Sequence, residues 1–121
     1  MSAVEQRRQF YRLKYPRRAM PSVRFSQERF RVSELSEGGM RIVMNGFTNL
    51  QVGTEMKGLL SLHNGCEIAV EGTVLRFAGE EVVIQFDKGP SFKHMVDEQR
   101  NIRNNYPIYF ERVRSGIYDS N

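Results

Sequence analysis

The strongest constraint on what this chain can fold into is a series of short alternating segments between Met20 and Lys88. Val23 and Phe25 alternate with polar neighbours, as do Phe30 with Val32, and Met40 with Ile42 and Met44. Successive side chains of a strand point to opposite faces, so this period predicts strands with one face in a core. Met56–Leu62, Ile68–Phe77 and Val82–Phe86 extend the series. Turn-forming residues separate the segments at Ser26–Arg29, Ser36–Gly39, Asn45-Gly46, Val52-Gly53, His63–Cys66 and Ala78–Glu80. Six strands with turns at about ten-residue intervals predict an antiparallel barrel or sandwich.

The period then changes. Phe92, Met95, Val96, Gln99 and Ile102 recur as one face of an amphipathic helix, with Pro90 and Ser91 at its start and Pro107 at its end. Ile108, Phe110, Val113, Ile117 and Tyr118 follow in a tail that suits a second short helix, a packed arm or a frayed end. With 121 residues, 40% apolar and 26% charged, the chain has the make-up of one globular domain. It divides into a basic arm (1–18), a barrel plus helix (19–106) and a tail (107–121). The methionines, Phe77, Phe86 and Phe92 are expected to be core or packing residues. Cys66, His63 and His94 are expected to be incidental.

Composition narrows the function. One cysteine and two histidines permit neither an intramolecular disulfide nor a cysteine-based zinc site. No apolar run approaches the roughly 20 residues of a membrane helix, and no apolar leader stands at the start. The expected compartment is the cytoplasm. No nucleophile–base pair, metal cluster or phosphate-binding glycine loop is evident, so no enzymatic activity is expected. A net charge of +4 favours an anionic partner.

The basic opening carries that preference. Arg7, Arg8, Arg12, Lys14, Arg17 and Arg18 crowd together, interleaved with Phe10, Tyr11, Leu13 and Tyr15, while Pro16 and Pro21 argue against a helix. Such an arm suits packing across a domain. Its guanidinium forks match phosphate oxygens and the O6/N7 edge of guanine. On their own they either grip an anion or lie solvated.

Arg8-Gln9-Phe10-Tyr11-Arg12 has the form RxxxR, and about twenty residues later Glu34-Leu35-Ser36-Glu37-Gly38-Gly39 approaches [D/N]xSxxG. In order, spacing and surrounding layout the pair resembles the PilZ domain family of cyclic di-GMP receptors. The resemblance implies a six-stranded antiparallel β-barrel, with a basic N-terminal arm and a C-terminal amphipathic helix. It implies cyclic di-GMP as ligand, bound by Arg7, Arg8, Arg12, Glu34, Ser36, Gly38 and Gly39. Arg41 and Arg76 are secondary candidates, and Arg7 is the residue for a stacked ligand dimer. A protein partner is also implied. Nucleic acid and membrane insertion are not. The chain departs from the family at Glu34, where Asp or Asn is usual. An adaptor that has lost nucleotide binding is the alternative, and a single-stranded nucleic-acid binder a remoter one.

Overall fold

The computed structural model describes residues 11–45 and 49–114. Among them are seven strands: β1 (Leu13–Lys14), β2 (Ser22–Phe25), β3 (Glu28–Leu35), β4 (Gly39–Val43), β5 (Glu55–Ser61), β6 (Glu67–Ala78) and β7 (Glu81–Lys88). Two helices follow, α1 (Phe92–Asn105) and α2 (Pro107–Arg114). All strand pairings are antiparallel and run β3-β2-β5-β6-β7-β4, and β4 pairs back onto β3. That last pairing closes the predicted six-stranded barrel and leaves no long edge open.

Alternation fills the interior as the sequence predicts. Val23, Val32, Ile42, Leu60 and Val82 are wholly buried, as are Met40, Met56 and Met95 apart from a few per cent of their surface. The β2–β3 hairpin is tighter than expected. Only Ser26 and Gln27 form the turn, with Ser26 at φ 58°, and Glu28 and Arg29 already pair with Phe25 and Arg24.

The described part of the arm packs, but by fewer of its aromatics. Leu13 and Tyr15 are buried whereas Tyr11 is exposed; Phe10 lies outside the described residues. β1 pairs with the last two residues of β3, and between the two prolines a short 3-10 turn forms at Arg17–Ala19. Arg31 holds that turn by donating to the Arg17 carbonyl at 2.6 Å.

Two aromatics expected to be core or packing residues are exposed. Phe77 is 41% exposed because the β5 pairing stops at Thr73, so the end of β6 is covered on one side only, by β7. Phe92 is 70% exposed, since the buried face of α1 begins at Met95 and continues through Glu98 and Ile102. Ser91 caps α1 reciprocally. Its hydroxyl accepts from the His94 N–H, and its own N–H donates to His94 Nδ1. Such a cap satisfies two donors that a helix start leaves open. The described part of the tail takes the second-helix form, with Phe110 of α2 buried.

Candidate functional site

The register of β3 decides where Glu34 goes. Strict alternation from Phe30 and Val32 would aim residue 34 into the barrel. A bulge between Val32 and Glu34 shifts the phase, so that Leu35 enters the core opposite Leu13 and Met40. Bulges re-aim side chains in this way. Glu34 is thereby turned to the outer face, flanked by Lys14 on β1 and Arg41 on β4. Its carboxylate lies 3.6 Å from Arg12 Nη1 and 3.9 Å from Lys14 Nζ. These are ion-pair rather than hydrogen-bond distances. The Glu34 side chain is 10% exposed beneath them, and that of Arg12 is 50% exposed.

The following turn is built by Ser36. Its hydroxyl accepts from the backbone N–H groups of Gly38 and Gly39 at 3.2 and 3.1 Å, and its own N–H donates to the Gly39 carbonyl at 2.9 Å. Gly38 in turn accepts from the Phe86 N–H, which stitches the turn to β7. Ser36 is therefore engaged in turn chemistry, a role Ser performs with or without a ligand. Gly39 is needed for close approach, because a Cβ there would stand 2.6 Å from the Ile84 carbonyl oxygen. Gly39→Ala is expected to cost about 1–3 kcal/mol by overpacking, seen as a lowered urea midpoint. An unchanged midpoint would show that β4 and β7 have room to part.

The same lateral row continues around the barrel. Arg41 is opposite Val83 of β7, and Val83 is opposite Arg76 of β6. Arg41 also lies 3.6 Å from Glu81. Arg12, Glu34, Arg41 and Arg76 are thus brought to one outer surface, ending at the Ser36–Gly39 turn. Arg7 and Arg8 lie outside the described residues. Lys14, which the sequence reading did not include, belongs to the row through its pairing with Glu34. Arg17 and Arg18 are exposed on the 3-10 turn.

A model of the PilZ domain matches residues 6–102, most of the chain. The chain belongs to the PilZ domain family. No curated protein matches it significantly by sequence. Solved structures share its fold. The inhibitor of motility MotI/DgrA of Bacillus subtilis aligns with TM-score 0.64 and 20% identity, over 84% of this chain and 52% of that one. This PilZ domain therefore spans about half the length of MotI/DgrA. The PilZ domain of Escherichia coli YcgR, solved with c-di-GMP, aligns with TM-score 0.59 and 17% identity, over 92% of this chain and 98% of that one. An uncharacterized Legionella protein aligns with TM-score 0.53 and 18% identity, over 78% and 99%.

The PilZ domain holds a second polar cluster, which the hydropathy pattern does not reveal. Glu98 of α1 is only 1% exposed. Its Oε1 accepts from the Tyr15 hydroxyl at 2.7 Å and faces His63 Nδ1 at 2.8 Å, while Oε2 accepts from the His63 N–H at 2.9 Å. His63 is thus a partner of a buried carboxylate and not incidental. The hydrogen bond to Glu98 raises the His63 pKa above its ordinary 6.5; burial opposes this, and the Glu98 charge and the Ala19 carbonyl assist. Burial pushes the Glu98 carboxyl up, but donors from His63 and Tyr15 outweigh it and the pKa falls below 4.5. Burial, then the Glu98 charge, holds the Tyr15 phenol well above 10. The missed signal was a carboxylate three residues after Met95 and four before Ile102, in line with the apolar stripe. On the same side of α1, Cys66 Sγ lies 3.8 Å from His94 Nε2. Among the described residues no cluster of His, Cys, Asp and Glu suits a metal ion, and no helix is long and apolar enough to cross a membrane.

Proposed function

We propose that this PilZ domain is a receptor module for cyclic di-GMP, with the nucleotide lying on the outer row between the arm and the Ser36–Gly39 turn. The observation that carries the reading is the 3.6 Å approach of Arg12 to Glu34, which joins two motifs far apart in sequence. Among the described residues, four cations (Arg12, Lys14, Arg41, Arg76) against two carboxylates (Glu34, Glu81) leave a local charge of +2. That balances a ligand with two phosphodiester charges. Arg12, together with Arg8, supplies bidentate bonds to phosphate oxygens or guanine O6/N7. Glu34 accepts from guanine N1–H and N2–H₂, which no arginine can do. Ser36 shapes the turn, and Gly38 and Gly39 keep the backbone flat enough for a base to approach. Arg41 and Arg76 line the far side of the row, and Arg7 is the cation for a second, stacked ligand.

Calorimetric titration with cyclic di-GMP, against GTP and the linear dinucleotide, tests the reading. Micromolar or tighter binding of the cyclic ligand is expected, with NMR shifts concentrated at Arg12, Ser36, Gly39 and Arg41. A second reading rests on the same ion pair. Because Glu34 already engages Arg12 and Lys14, the carboxylate that would read a guanine edge is occupied, as in an adaptor that works through protein contacts alone. Absence of both heat and shifts at high ligand concentration selects that reading.

A further inference from the structure

The arm and helix α1 meet at one buried group. Tyr15 lies three residues beyond Arg12, a distance of about 10 Å in extended chain. Its backbone N–H is held by the Ser33 carbonyl at 3.0 Å, and its hydroxyl reaches through the core to Glu98 at 2.7 Å. The tilted Tyr15 and His63 rings pack with centroids 5.5 Å apart. The three donors to Glu98 come from the arm and the β5–β6 turn, none of them from α1 itself. The carboxylate is therefore a joint between three elements. The apolar seat of α1 is small, with Met95 and Ile102 as its buried apolar side chains. Among the described residues the arm is held by two paired strand residues, the Tyr15 N–H, the Arg31 bond to the Arg17 carbonyl and the buried side chains of Leu13 and Tyr15.

We propose that Glu98 couples the arm to helix α1, so that ligand engagement of the arm changes how firmly α1 is seated. The ligand half of this proposal rests on the receptor reading above; the coupling of arm to helix does not. A ligand that reorients the arm at Arg12 carries Tyr15 with it, and Tyr15 either keeps or withdraws its donor from Glu98. Losing that donor leaves a buried carboxylate short of a partner, a strongly unfavourable arrangement for the seated helix. By linkage, anything that unseats α1 alters ligand affinity by the same factor. Helix α1 is thereby the output element of the domain.

Amide hydrogen exchange on the full chain, read by NMR, tests this with and without cyclic di-GMP. In the free protein, Tyr15→Phe is expected to speed exchange across Met95–Ile102 roughly tenfold, as loss of one such hydrogen bond requires. Glu98→Gln, which keeps the shape of the side chain, should reciprocally speed exchange at Leu13 and Tyr15. In wild type, added nucleotide should change α1 exchange at least severalfold. In Tyr15→Phe the nucleotide should still bind through Arg12 while that α1 response disappears. Equal α1 responses in the two proteins, or no reciprocal effect in their free forms, overturns the proposal. If wild type gives no heat with the nucleotide, the receptor reading alone fails, and reciprocity in the free proteins still decides the coupling.

Discussion

Truncation of Glu98 to alanine is expected to remove about 3–5 kcal/mol of folding stability, the range for breaking a buried charged pair by deleting one partner. The substitution opens a cavity beneath α1 and leaves the Tyr15 hydroxyl and His63 Nδ1 without their acceptor. Domains of this kind have a total of about 5–15 kcal/mol, so the variant should sit near the edge of folding. Urea denaturation at neutral pH should show a midpoint lower by roughly 1 M or more. A loss below about 1 kcal/mol would mean that water replaces the carboxylate cheaply, and the buried joint would lose its standing.

The same cluster fixes a pH dependence. His63 has a raised folded pKa, so its contribution is complete below 6.5 and is lost as pH rises through the folded value. Glu98 has a lowered folded pKa, so its contribution is present above 4.5 and is lost as pH falls through the folded value. The cluster is therefore most stabilising between those two values. Wild-type stability should decline from mildly acidic to mildly alkaline pH, and His63→Gln should flatten that slope. An equal slope in the variant would place the titration elsewhere.

The barrel was legible because its signal is redundant. Val23, Val32, Ile42, Val82 and Ile84 each repeat the same inside–outside choice, and Gly38-Gly39 marks the turn between two of the strands. The candidate face was legible by motif, since Arg12, Glu34 and Ser36 stand at fixed spacings and the fold brings Arg12 to Glu34. What alternation could not supply was the mechanism that makes Glu34 available. A strict period would have buried it inside, and only the bulge at Ser33 turns it out beside Lys14 and Arg41. Glu98 was illegible for a related reason. Periodicity ranks residues by hydropathy, so it draws the helical stripe through Gln99 and Phe92. The actual face of α1 is set by polar partners on the arm and the β5–β6 turn, contacts separated by 83 and 35 residues in sequence.

Replacing Arg12 by alanine is expected to weaken cyclic di-GMP binding by about tenfold to a hundredfold, the equivalent of one charge-assisted hydrogen bond of about 1.5–3 kcal/mol. Half-exposed, Arg12 has a free-state pairing with Glu34 worth only about 0–1 kcal/mol. Handing the guanidinium from a carboxylate to a phosphate thus forfeits little, and it releases Glu34 to accept from a guanine edge. The unliganded thermal midpoint should hardly move, which separates lost binding from lost folding. Arg12→Lys keeps the charge and discards the planar fork, so it should fall between wild type and alanine. Arg18→Ala, on the 3-10 turn and outside the lateral row, should change affinity less than about threefold through long-range attraction alone. Wild-type affinity in Arg12→Ala would remove Arg12 from the site and leave Arg7 and Arg8 as the arm's ligands. Equal losses in Arg12→Ala and Arg18→Ala would reduce the arm to a diffuse positive field, with no clasp formed between the two motifs.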